Sequence, residues 1–112
     1  MTPETAQPAD STMLGHMVYF TLKDTSAEAV QRLLASAREH LTGHPGTVFF
    51  AVGTRVPDLT RAVNDDQFHV GLQMVFESRE AHDTYQVHEK HVNFIESNKA
   101  NWEQVRVFDA DL

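Results

Sequence analysis

A chain of 112 residues is long enough for one domain with a real hydrophobic core and too short for two. With no cysteine it has no disulfides, no thiolate nucleophile and no thiolate metal site, and its 41% apolar content is that of an ordinary globular domain. Sixteen acidic residues against nine basic ones give a formal charge of −7 and no basic stripe, so nucleic acid and anionic membranes are poor partners.

Met1 to Thr12 is rich in Pro, Thr and Ala without periodicity and reads as a disordered lead-in. It has no Lys or Arg and no apolar centre, so it lacks the make-up of a secretory signal. The folded domain is expected over residues 13–112. No apolar run nears the ~20 residues that span a bilayer, and the expected compartment is the cytoplasm.

Leu14 to Leu22 alternates as a strand, with Leu14, His16, Val18, Phe20 and Leu22 on one face and Met17, Tyr19 and Thr21 on the other. Thr25 and Glu28 make a capping box for a helix carrying Val30, Leu33, Leu34, Ala37 and Leu41 at helical spacing. Gly43, His44, Pro45 and Gly46 stop it. Thr47 to Val56 reads as a second strand, with Val48, Phe50 and Val52 on one face and Phe49 and Ala51 on the other. A polar loop, Pro57 to Asp66, leads to a third strand in which Phe68, Val70, Leu72, Met74 and Phe76 alternate with His69, Gly71, Gln73 and Val75. Ser78 caps a helix with Ala81, Thr84, Tyr85 and His88 on one face, and helix resumes through Val92, Phe94 and Ile95 after a break near Glu89. Trp102 to Phe108 is the last strand.

The order β-α-β-β-α-β is that of a ferredoxin-like α+β fold, a four-stranded antiparallel sheet with both helices on one face. The helices cover only that face. Met17, Tyr19, Phe49 and Val75 then form an apolar patch whose economical cover is the same face of a second copy, giving a homodimeric α/β barrel.

His16 sits among apolar neighbours on the face beneath the helices, and Tyr85 and His88 share a helical face. They are expected to meet in an apolar cleft with Val18, Phe20, Leu72, Met74, Phe94 and Trp102. A buried imidazole beside a hydroxyl suits proton abstraction next to a carbonyl, a reaction that needs no cofactor. The plainer reading is a satisfied core histidine and a tyrosine that caps the core.

Several short pieces in this order resemble the stress-responsive dimeric A/B barrel domain (Dabb) family over about Met13 to Asp109. They are His16-Met-Val-Tyr-Phe, Pro45-Gly46, Gly53, Phe76-Glu77-Ser78, Tyr85 with His88 and His91, and Val107 to Asp109. The resemblance implies a homodimeric barrel and, by a branch of polyketide cyclases, an aldol-type step. In it His91 would be the general base, Tyr85 the orienting donor and His16 a polar pocket partner. Glu89 stands where the family commonly has Pro, and Val70, not His69, matches a family histidine. His69 is therefore expected to face the dimer interior.

His88 and His91 could supply two metal ligands with His16 as a third, but the spacing is a weak signal and no His-Glu-x-x-His motif is present. The expectation is no metal and no cofactor. His40, His44 and His82 are expected to be solvated, Asp65-Asp66 a solvated turn, and Arg55 and Arg61 surface residues bracketing the loop. The functional expectation is thus a cofactor-free lyase, cyclase or isomerase acting on a small apolar or carbonyl-containing molecule. The alternative is a non-catalytic stress-response or ligand-binding protein.

Overall fold

In the computed structural model, residues 12–112 are described. The lead-in expected over Met1 to Thr12 lies, save for Thr12, outside them. The elements run β1 (Leu14–Leu22), α1 (Ala27–Leu41), β2 (Thr47–Thr54), β3 (Val70–Phe76), α2 (Arg79–Val87), α3 (Glu89–Asn98), a 3-10 turn (Lys99–Asn101) and β4 (Trp102–Asp111). The four strands form one antiparallel sheet in the order β2-β3-β1-β4, the ferredoxin-like topology the alternation predicts. No helix among the described residues is long and apolar enough to cross a membrane.

β1 lies inside the sheet, and Leu14, His16, Val18, Phe20 and Leu22 are all buried on its helix side. Val70, Leu72, Met74 and Phe76 of β3 share that face, as the pairings of His16 with Met74 and Val18 with Leu72 require. Leu33, Leu34, Ala37 and Leu41 of α1 and Phe94 of α3 close the core from above. Each fully buried Leu, Met or Phe contributes about 1.5–3 kcal/mol over leaving it in water.

Local chemistry shifts several boundaries. The cap of α1 is Ser26, not Thr25: the Asp24 carboxylate accepts from the Ser26 N–H at 3.0 Å, leaving the Ser26 hydroxyl to accept from Ala29 N–H. α1 stops at Thr42, and both Gly43 (φ 79°) and Gly46 (φ 83°) turn the chain left-handed before β2. A Cβ on Gly46 would stand 2.5 Å from the Ala81 methyl, so this turn also seats the first turn of α2.

Val48 does not share a face with Phe50 and Val52. The register between β2 and β3 slips between Thr47 and Phe49, leaving Val48 as an extra residue, and Val48 and Phe49 are both exposed. β3 begins at Val70, two residues later than the alternation suggests. Phe68 lies before the ladder and stacks edge-on against Tyr19, on the sheet face away from the helices. His69 also precedes the strand; its Nδ1 accepts from the backbone N–H of Leu22 at 3.1 Å, where the β1–β4 register shifts. β4 runs three residues past Phe108, to Asp111, and that extension brings Asp109 opposite His16.

Candidate active site

A cavity of about 170 Å³ opens between the sheet and helices α2 and α3. β1 supplies His16, Val18 and Phe20, β3 supplies Leu72, α2 supplies Tyr85 and Gln86, and α3 supplies His91, Phe94 and Ile95. Trp102, Val105 and Val107 of the edge strand β4 complete it. Its walls are apolar apart from two imidazoles, a phenol and an amide, the make-up of a small-molecule site.

The position of His91 follows from the joint between α2 and α3. His88 ends α2, donating its N–H to the Tyr85 carbonyl, and starts α3, its Nδ1 accepting from Lys90 N–H. One residue does both because its backbone is extended (φ −67°, ψ 142°). The chain bends there without a proline, and the bend frees the Gln86 carbonyl to accept from His91 Nδ1 at 3.0 Å.

A carbonyl can only accept, so Nδ1 of His91 carries the proton and Nε2 keeps a lone pair. Burial lowers the His91 pKa below its usual 6.5, offset in part by that hydrogen bond and reinforced by the nearby rings of His16, His44 and His82. The ring stays neutral near pH 7.

Tyr85 lies beside His91, ring centroids 4.5 Å apart, and also packs against Phe76, His44 and His16. Burial raises its phenol pKa, so the hydroxyl remains a proton donor. No described residue hydrogen-bonds that hydroxyl. The indole N–H of Trp102 is likewise buried without a partner among the described residues.

His16 is buried, and its Nδ1 donates to the Asp109 carboxylate across the β1–β4 ladder at 2.6 Å. The acceptor fixes the tautomer, leaving the lone pair on Nε2. Desolvation lowers the His16 pKa, and the hydrogen bond and charge of Asp109 pull it part of the way back.

The structure therefore brings together His16, Tyr85 and His91 with Val18, Phe20, Leu72, Phe94 and Trp102, all anticipated from the sequence. It separates two others. Met74 is wholly buried in the core behind the cavity, and His88 leaves the Tyr85 face because the helix has ended there; its ring packs on His44 at 4.8 Å. His91 therefore shares the cavity with His16, and His88 does not join them, so the three imidazoles do not form one ligand set. Two histidines expected in solvent are not: His44 is buried, its Nε2 donating to the His40 carbonyl at 2.8 Å, and His82 lies 5.1 Å from the His16 ring.

Gln86 and His82 carried no sequence signal of a role, and Asp109 entered only as the end of the Val107 to Asp109 piece. The pairing of His16 with Asp109 is visible only once the β1–β4 register is known, and a backbone acceptor such as Gln86 has no signature at all.

The profile of the stress responsive A/B barrel domain matches residues 14–112. A Dabb family protein with a ferredoxin-like fold from Mesorhizobium loti superposes with a TM-score of 0.73 at 26% identity, covering 88% of this chain and 95% of that one. A dimeric ferredoxin-like protein of unknown function from Thermobifida fusca gives a TM-score of 0.77 at 12% identity, with 94% and 95% covered. The hydroxynitrile lyase of Passiflora edulis gives 0.73 at 19% identity, also with 94% and 95% covered; at such identity the likeness is one of fold. No curated protein sequence matches the chain. With the match running from the first residue of β1 to the C-terminus on a ferredoxin-like sheet, the chain belongs to the stress responsive A/B barrel domain family.

Proposed function

We propose that the protein is a homodimeric, cofactor-independent lyase, cyclase or isomerase that removes a proton from a carbon next to a carbonyl group. The observation that carries this reading is the His91 tautomer: a neutral imidazole with its lone-pair nitrogen unused, beside a phenol whose hydroxyl is also unused, at a cavity of about 170 Å³. Nε2 of His91 takes the α-proton, and the C–H electron pair moves into the enolate. The Tyr85 hydroxyl donates a hydrogen bond to the developing oxyanion, a contact stronger in the transition state than in the ground state. The enolate carbon then adds to a second carbonyl, or in the reverse sense a C–C bond breaks, and the imidazolium returns the proton. His16, steadied by Asp109, offers Nε2 as an acceptor to a substrate hydroxyl.

The lowered pKa has two effects. It keeps the base unprotonated at neutral pH and weakens it, so the burden falls on the oxyanion contact. The apolar walls favour a small substrate with an aromatic or aliphatic arm beside its carbonyl. That a hydroxynitrile lyase shares the fold agrees with a lyase built on it.

Dimerisation rests on the opposite sheet face. Phe49 and Phe108 are each about half exposed (53% and 54%) beside Met17, Tyr19 and Val75, and solved relatives of the fold are described as dimeric. The reaction is tested by deuterium exchange at the α-carbon of a panel of β-keto compounds in D₂O. Exchange by the wild type that disappears in His91→Ala supports the reading; equal exchange by the variant sinks it, and the non-catalytic binding role then takes its place.

A further inference from the structure

His16 on β1, His82 on α2 and Asp109 on β4 converge at the end of the sheet, each offering a ligand atom within 4.8 Å of the others. From this convergence we infer a binding site for a borderline divalent metal ion of the zinc type, held by two imidazoles and one carboxylate.

The donor set suits such an ion. Two nitrogens and one carboxylate oxygen are the ligands zinc and its neighbours take, at about 2.0–2.2 Å, with the remaining positions left to water. The tautomers suit it as well. His82 Nδ1 lies 2.9 Å from the Asp83 carboxylate, which only accepts, so the lone pair is on Nε2. Nothing holds that nitrogen beyond a long contact of 3.4 Å to the Gln86 amide. The Asp83–His82 pair thus has the form of the carboxylate–imidazole pairs that orient metal ligands from behind.

His16 and Asp109 already touch at 2.6 Å, and an ion there replaces the proton they share. Since His16 is neutral, its proton moves to Nε2 when the metal takes Nδ1, and no net proton is released from that ring. Asp109 is 45% exposed, which gives the ion a way in, while His16 anchors the site from the core. Arg79 stands beyond Asp83, exposed and tied to it, so its charge is screened by water. His82 reaches the site from the first turn of α2. The ion also changes the cavity, because His16 Nε2 turns from acceptor to donor. This differs from the set that sequence spacing suggests, since His88 and His91 take no part.

The experiment is titration of the 112-residue chain with Zn²⁺ by calorimetry, and with Co²⁺ by visible absorption. His82→Ala, Asp109→Asn and His88→Ala are run beside the wild type, each checked for native circular dichroism. Saturable uptake of one ion per chain, weakened at least tenfold in His82→Ala and in Asp109→Asn but unchanged in His88→Ala, is the expected result. No uptake by the wild type overturns the inference. So does uptake that His82→Ala leaves intact, or that His88→Ala abolishes, since the ion then lies elsewhere.

Discussion

The Nδ1–H of His91 is donated to the backbone carbonyl of Gln86 across the joint between two helices, 3.0 Å away. The protonation state of the ring is therefore coupled to the fold. Its pKa is lowered on folding, so the unfolded chain binds the proton more tightly. The stability owed to neutral His91 is complete above about pH 6.5 and erodes as pH falls through 6.5 toward the lower folded value. Urea midpoints from pH 8 to pH 5 should show this fall. His91→Asn, whose side-chain amide can keep a donor toward Gln86 but does not titrate, should lessen it, leaving the share owed to His16, whose pKa burial also lowers. A wild-type fall no steeper than the variant's contradicts the account. The acid limb of activity should likewise lie below 6.5.

Tyr85→Phe separates packing from catalysis. The ring contacts to Phe76, His44 and His91 survive the change, and the hydroxyl has no partner among the described residues to lose. The melting temperature should hold or rise slightly, while kcat for carbonyl substrates drops by about 10²–10³ with KM little moved. A core-capping role predicts the opposite pattern, lost stability and unchanged turnover.

Asp109→Ala removes the acceptor of a buried imidazole N–H. Water reaches the carboxylate position in part, so the cost should sit near the low end of the range for an unmade hydrogen bond, ~1 kcal/mol. The His16 pKa should fall further, because the carboxylate is what raises it. Chemical denaturation and imidazole NMR read both, and an unmoved His16 titration refutes the pairing.

Gly46→Ala meets two obstacles at one position. The left-handed backbone costs about 1–2 kcal/mol for a residue with a Cβ, and the new methyl collides with Ala81, adding ~1–3 kcal/mol of overpacking. Gly43→Ala, with the same backbone sign but open space around it, should suffer only the first. Equal losses in the two variants would mean that the Gly46–Ala81 contact does not matter.

Phe108→Glu tests the sheet face away from the helices. Placed beside Tyr19, 5.9 Å between rings, a carboxylate there cannot be buried without a partner. Sedimentation should show dimers for the wild type and monomers for the variant. Dimers in both, or monomers in both, reject the face-to-face barrel.

The fold was readable because its main signal is alternation on a strand with helices on one side. β1 shows that signal without interruption, and every residue assigned to its inner face is buried there. The departures from simple alternation fall where the backbone leaves the regular period. Val48 is an inserted residue in β2, and Phe68 and His69 precede the ladder they were counted into. The site was legible in part for a similar reason. His16 and Tyr85 follow from periodicity, and His91 from the family pattern. The fate of His88 turns on where a helix stops, which depends on one extended backbone residue, and His44 is buried by a turn that brings it onto Tyr85.

The sheet residues of the cavity wall are of two kinds. Val18 and Phe20 of β1 are also core residues, so altering them disturbs the whole molecule. Val105 and Val107 lie on the sheet's edge strand, 39% and 48% exposed. Substitutions at these two valines can enlarge, narrow or polarise the chamber at small thermodynamic penalty. The shape of the chamber is thus set apart from the core, by two side chains of a single border strand, with the imidazoles and the hydroxyl left in place.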